Sequence, residues 1–197
     1  MSRRLILASA SPRRADLLGM LGLRFETRPT GVDETPHPGE PARELAIRLA
    51  RVKATAAVAA PGPSLVVAAD TLVVLDGEVL NKPADRDEAA RFLARLAGRT
   101  HEVMTGLAVR THPEEDLVTD LAVSRVTFAP MSRQEIAWYA QSGEGLDKAG
   151  AYALQGIGSV FVTSVEGSYT NVIGLPMERL YPHLRRHGFL AISPAGS

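Results

Sequence analysis

The chain has 197 residues, 45% of them apolar and 22% charged, with 22 basic and 22 acidic side chains that cancel to a formal net charge of zero. That length holds one sizeable core, or two small lobes sharing a cleft. Neutrality and an aromatic content of only 5% argue against a coat for nucleic acid or a base-stacking platform, and the lack of any cysteine excludes disulfides, thiolate metal sites and a cysteine nucleophile.

Leu5–Ala8 reads as a short buried strand. The apolar run stops at Ser9, too soon for a signal peptide, and no stretch reaches membrane-spanning length, so the protein is expected in the cytoplasm with no membrane partner. Ser11 and Pro12 read as the N-cap and first residue of a helix whose Ala15, Leu17, Leu18 and Leu21 share a face before Gly22. Phe25 to Pro41 is irregular and proline-rich. A helix is expected from Ala42 to Ala60, with Leu45, Leu49, Val52 and Ala56 as its apolar stripe, broken by Pro61-Gly62-Pro63.

Leu65–Ala69 is a continuous apolar run, the pattern of a strand covered on both faces. Thr71–Leu75, Asp76-Gly77 and Glu78–Leu80 read as a hairpin. Asp85 with Glu88, and Ser132 with Glu135, have capping-box spacing and open helices stopped at Gly98 and near Gly143. His101–Thr111 and Leu117–Ala129 are expected as long strands, Ser159–Val165 as another, and Pro176 to His187 as the last helix. Residues 191–197 read as a loose tail behind a single domain at 1–190. This order supports a mixed α/β sheet with two lobes more than a regular βαβ series.

Three lysines stand among nineteen arginines, and Lys53, Lys82 and Lys148 each sit in a short polar motif. A compact, flexible ammonium is a good point-charge ligand for phosphate and is not replaced by the guanidinium fork. In Ser9-Ala10-Ser11-Pro12-Arg13-Arg14, a strand end leads into a helix N-terminus that presents free N–H groups, two hydroxyls and two guanidinium groups to an anion. Asp70-Thr71 closes the apolar run, and an acid at the mouth of a buried strand is costly unless paired, metal-bound or used. Lys53 borders the apolar stripe of its helix and can reach inward. In Asn81-Lys82-Pro83 the proline favours an extended Lys82 aimed off a strand end. Asp33-Glu34 is a carboxylate pair suited to Mg²⁺ or Mn²⁺. Asp147 to Gly156, with Lys148, Tyr152, Gln155 and three small residues, reads as a loop that approaches a planar ligand closely. There is no P-loop, no histidine pattern with metal-ligand spacing and no G-x-S-x-G elbow.

Taken in order from Leu5 to Phe189, and with Gly167-Ser168-Tyr169, Asn171-Val172 and Gly174-Leu175-Pro176, these segments resemble the Maf-like nucleoside triphosphate pyrophosphatases. The resemblance implies an elongated, twisted mixed sheet with flanking helices and two lobes around a cleft, similar to inosine triphosphate pyrophosphatases. It also implies hydrolysis of a nucleoside triphosphate to monophosphate and pyrophosphate with a divalent metal, Mg²⁺ or Mn²⁺. Arg13, Thr71 and Gln155 resemble the branch acting on dTTP and UTP; the branch acting on a methylated guanine nucleotide would carry Trp, Gln and Glu there. A homodimer would be typical of the family.

On this reading Ser9, Ser11, Arg13, Arg14, Lys53 and Lys82 cradle the triphosphate, Glu34 and Asp70 hold the metal, and Asp70 orients or deprotonates the attacking water. Asp147 and Lys148 join the substrate-binding set, Gln155 reads the polar edge of a pyrimidine, and Thr71 helps to shape the base pocket. The rival expectation is a non-catalytic, nucleotide-binding regulator of cell division and septum formation. A kinase or phosphotransferase is a third.

Overall fold

A computed structural model describes residues 3–57 and 62–190. Its centre is a mixed seven-stranded sheet built from β1 (Arg4–Leu7), β2 (Glu26–Thr27), β3 (Ser64–Leu75), β4 (Glu78–Leu80), β5 (Thr100–His112), β6 (Leu117–Phe128) and β7 (Val162–Glu166). The strands run in the order β2-β1-β3-β5-β6-β7, with β4 paired to β3 off that path. β1 is parallel to both β2 and β3, whereas the β3–β5, β5–β6 and β6–β7 pairs are antiparallel. Helices α1 (Pro12–Gly19), α2 (Ala42–Ala56), α3 (Arg86–Leu96), α4 (Arg133–Ser142), α5 (Tyr169–Ile173) and α6 (Met177–Arg186) flank it.

The strand period of two decides what meets what. Leu65, Val67 and Ala69 of β3 share a cluster with Leu17 and Leu18 of α1 and with Leu180 and Leu184 of α6. Val66 and Ala68 point the other way, against Ala50 and Ala54 of α2, and Leu72 and Val74 continue that face against Leu45, Ala46 and Leu49. Even-numbered residues of β3 therefore face α2, so Asp70 does too, while Thr71 faces the layer of α1 and α5. Farther along the sheet, Leu93 and Leu96 of α3, Tyr139 of α4, and Phe128, Tyr152 and Phe161 form a separate cluster with Val73, Leu75 and Val103.

Several expectations are corrected. Asp70 does not end a strand: β3 runs unbroken through it and pairs with β5 at every residue from Ser64 to Val74. The apolar run and the hairpin strand are one element, because the buried acid has a partner from α2. Helix α2 ends at Ala56 with Ala57 as its cap rather than at Ala60; Ala60 and Pro61 lie outside the described residues, as does the expected tail at 191–197. Strand β7 begins at Val162, since Ile157–Phe161 winds into a 3₁₀ turn. Strand β2 and helix α5, of two and five residues, are too short to leave a periodic pattern. Ser132 and Glu135 make the full reciprocal capping box. At α3, Asp85 caps the Glu88 amide, but the Glu88 carboxylate bonds the Ala84 amide instead. Ser11 occupies the N-cap position of α1 without a side-chain cap bond.

Candidate active site

A cavity of about 590 Å³ opens where the N-terminus of α1, the middle of β3, the Leu45–Leu49–Lys53 face of α2 and the 147–155 segment meet. Ser9, Ser11, Arg13, Arg14, Glu34, Lys53, Asp70, Thr71, Lys82, Asp147, Lys148 and Gln155 all line it. Asp33 is not among the lining residues. Its Oδ1 accepts from the Thr35 amide at 2.9 Å and the Thr35 hydroxyl at 2.6 Å, bonds that hold its carboxyl below the usual range. The Asp33-Glu34 pair is thus split: one acid shapes the loop and the other faces the cavity.

The buried face of α2 runs through Leu45, Ala46, Leu49, Ala50, Lys53 and Ala54 rather than through the expected Val52 and Ala56, of which the first is half-buried and the second exposed. With the parity of β3, that face explains the central cluster. Lys53 is about one turn beyond Leu49 on the sheet-facing side, and its ammonium meets Asp70 Oδ1 at 2.6 Å. Both residues are buried, Lys53 at 8% and Asp70 at 6% exposure, which makes a surface role for the lysine untenable. Glu34 Oε1 reaches the same ammonium at 2.7 Å from the proline-rich loop. That loop is anchored to α2: Arg48 grips both Glu40 oxygens at 2.6 and 2.7 Å and bonds the Thr35 carbonyl at 3.0 Å. The Arg48 bond pulls the Glu40 carboxyl down to about 2. Arg48→Lys keeps the charge but loses the fork. It is expected to lower kcat/KM by about tenfold, the equivalent of one charge-assisted hydrogen bond of roughly 1.5 kcal/mol. Steady-state kinetics that match wild type would show that the Glu34 loop does not depend on the fork.

Arg14 is committed to the protein. Its Nε donates to the Gly174 carbonyl at 2.7 Å, Nη1 to Ser9 Oγ at 3.1 Å and Nη2 to Thr71 Oγ1 at 3.0 Å. Burial lowers its pKa, with Asp70 opposing that shift and Arg13 adding to it. Because a guanidinium only donates, these bonds set the polarity of their neighbours. Ser9 Oγ accepts from Arg14 and, at 3.1 Å, from the Ser11 amide, so its own proton is turned to the cavity. Thr71 Oγ1 accepts from Arg14 and lies 2.9 Å from Thr105 Oγ1, which donates to the Asn171 carbonyl at 3.1 Å. Thr71 therefore donates to Thr105, the nearer of its two acceptors, with the Gly174 carbonyl farther off at 3.5 Å. Nothing in the local sequence announced Thr105, and Gly174 stood only as part of a motif with no stated role; both are reached from Arg14 through the fold.

Arg13 keeps an ion pair of 3.5 Å with Asp147, whose other oxygen bonds the Lys148 ammonium. Lys148 also donates to the Glu144 carbonyl. Desolvation works to raise the Asp147 pKa, but the Lys148 bond and the charges of Lys148 and Arg13 outweigh it and hold the carboxyl low. Lys82 is exposed at the rim and makes no ion pair among the described residues. Chemically, the cavity is lined by the cations Arg13, Lys53, Lys82 and Lys148, a hydroxyl oriented by its own partners, a helix N-terminus and two carboxylates that meet on Lys53.

Among the described residues no helix is long and apolar enough to cross a membrane. A family model described as Maf-like protein matches residues 4–187. A dTTP/UTP pyrophosphatase of Anaeromyxobacter sp. (strain Fw109-5) is 52% identical over 191 residues, covering 95% of this chain and 91% of the relative. One from Myxococcus xanthus (strain DK1622) is 50% identical, covering 93% and 92%. One from Escherichia coli O157:H7 is 48% identical, covering 90% and 89%.

Proposed function

The chain belongs to the Maf-like protein family, and from that premise we propose that it hydrolyses dTTP and UTP to the nucleoside monophosphate and pyrophosphate. The observation that carries this reading is the buried Lys53–Asp70 contact with Glu34 on the same ammonium, set opposite the cationic mouth of α1 in one cavity. Water attacks the α-phosphorus, the bond to the oxygen bridging the α- and β-phosphates breaks, and the electron pair leaves with pyrophosphate. Asp70 orients the water and takes its proton. Lys53, Arg13, Lys82 and Lys148 offset the charge of the triphosphate, while the Ser9 hydroxyl and the α1 amides donate to its oxygens. Arg14 holds Ser9 and Thr71 in place.

Nucleotide pyrophosphatases of this kind are generally metal-dependent, and the donor set here fits a hard cation. Glu34 and Asp70 already converge on a positive charge. Two protein carboxylates, with phosphate oxygens and water for the remainder, is the pattern preferred by Mg²⁺ and accepted by Mn²⁺. Glu34 and Asp70 would hold such an ion, which when bound would supply a lowered water pKa and charge shielding for the leaving group.

Incubating the protein with dTTP, UTP, CTP and GTP plus Mg²⁺, and identifying the products, tests the reading. Pyrophosphate from dTTP and UTP is expected. Orthophosphate as the product would indicate a different phosphoryl transfer, and nucleotide binding without turnover would favour a regulatory protein. Lys82→Arg should lower kcat/KM by roughly tenfold despite the retained charge, because the broad fork cannot follow a point-charge contact. Unchanged kinetics in that variant would remove the argument from lysine chemistry.

A further inference from the structure

Glu144 lies just beyond α4, outside the cavity lining, yet its carboxylate accepts three hydrogen bonds. Its Oε2 accepts from the Tyr139 hydroxyl at 2.7 Å and the Gly158 amide at 3.0 Å, and its Oε1 from the Ile157 amide at 2.8 Å. Tyr139, 1% exposed on α4, accepts in turn from the Ala153 amide at 3.0 Å. The pair therefore holds the backbone at 153, 157 and 158, on both sides of Gln155. Glycines keep the space free. A Cβ at Gly156 would stand 2.0 Å from Glu144 Oε1, and one at Gly158 2.4 Å from the Tyr139 hydroxyl. Burial works to raise the Glu144 pKa, but the bonds from Tyr139, Gly158 and Ile157 and the nearby Lys148 charge outweigh it, so the carboxylate stays ionised.

Gln155 itself is exposed at the cavity and forms no side-chain hydrogen bond among the described residues. Nothing orients its amide from the side-chain end. Where that amide meets a ligand is set by where its backbone is held, and a supporting shell that is loose by 1 Å spoils recognition.

We propose that Glu144, acting with Tyr139, is a positioning residue for base recognition, fixing the segment that carries Gln155 so that its amide meets the polar edge of a pyrimidine. This rests on reading the cavity as a dTTP/UTP pyrophosphatase site. Glu144 does not line the cavity, so its removal affects which base is accepted more than the chemical step.

The test is Glu144→Gln, which conserves volume but turns an N–H₂ group toward backbone amides that need an acceptor. Expected are a KM for UTP raised about tenfold, a kcat within about twofold, and a UTP-over-CTP preference reduced about tenfold, the scale of one lost hydrogen bond to a charged group. Inhibition by inorganic tripolyphosphate, which has no base, should be unchanged. Tyr139→Phe keeps the ring packed against Phe161, 5.7 Å away, removes the bonds to Glu144 and Ala153, and should shift the same ratios in the same direction. It decides the matter if Glu144→Gln does not fold. An unaltered UTP:CTP ratio, or equal losses for every nucleotide and for tripolyphosphate, overturns the proposal while leaving the enzyme reading intact. A wild-type protein that releases no pyrophosphate from any nucleotide overturns that reading, and the proposal with it.

Discussion

Asp70→Asn is expected to lower kcat for pyrophosphate release from UTP by roughly three orders of magnitude while nucleotide binding stays within about tenfold. The asparagine fits the same space, 6% exposed, and its amide oxygen still accepts from Lys53. What is lost is the negative charge and the ability to take a proton. Binding draws on Lys53, Arg13, Lys82, Lys148 and the α1 N-terminus, and of these cations it is Lys53 that pairs with Asp70. Lys53 keeps Glu34 at 2.7 Å, so the lysine is not stranded as an uncompensated buried charge, the condition that makes breaking such pairs destructive. A coupled pyrophosphate assay gives the rate. Calorimetry with a UTP analogue that cannot be cleaved between the α- and β-phosphates gives the affinity, and a thermal melt near wild type confirms the fold. Turnover within a few-fold of wild type would remove Asp70 from the chemistry; binding lost in step with turnover would assign it to affinity.

The contrast between what was legible and what was not follows the distance over which each interaction reaches. Ser132 and Glu135 are three residues apart, and their capping box could be read directly. The inward reach of Lys53 was also readable, because it depends on position within one helix. Its meeting with Asp70 was not, since that depends on α2 crossing the particular face of β3 that carries even-numbered residues. Without that partner a buried acid looks like a strand end, and β3 was divided there. Arg14 is the sharper case. In isolation, an arginine at a helix N-terminus beside two serines suggests a phosphate clamp. The acceptors it uses, Ser9, Thr71 and Gly174, span 160 residues from Arg14 to the farthest, and a fork already filled by the protein supports the site by orienting Ser9 and Thr71.

Gly106→Ala is expected to damage both stability and catalysis, for a reason that links the sheet to the reacting groups. Gly106 lies on β5 directly opposite Asp70 of β3. A Cβ there would stand 2.1 Å from the Ala46 carbonyl oxygen, 2.4 Å from its carbon and 2.8 Å from the Ile47 nitrogen. All three obstacles are backbone atoms of α2, so no rotamer change relieves them and the helix must move by about 1 Å or more. The same helix carries Lys53, whose 2.6 Å contact with Asp70 tolerates no such shift. Overpacking of this kind costs about 3 kcal/mol, a fall in Tm of roughly 6–12 °C for a chain of this size. Displacing a reacting group by 1 Å costs about 100-fold in rate, so kcat/KM should fall by that order even in the fraction that remains folded. Gly19→Ala is the matched control, since nothing lies within 4 Å of its added carbon at the end of α1, and it should raise stability by a few tenths of a kcal/mol. If Gly106→Ala melts and turns over like that control, α2 is not held against β5 as closely as its carbonyl distance requires, and the account of how Lys53 reaches Asp70 loses its footing.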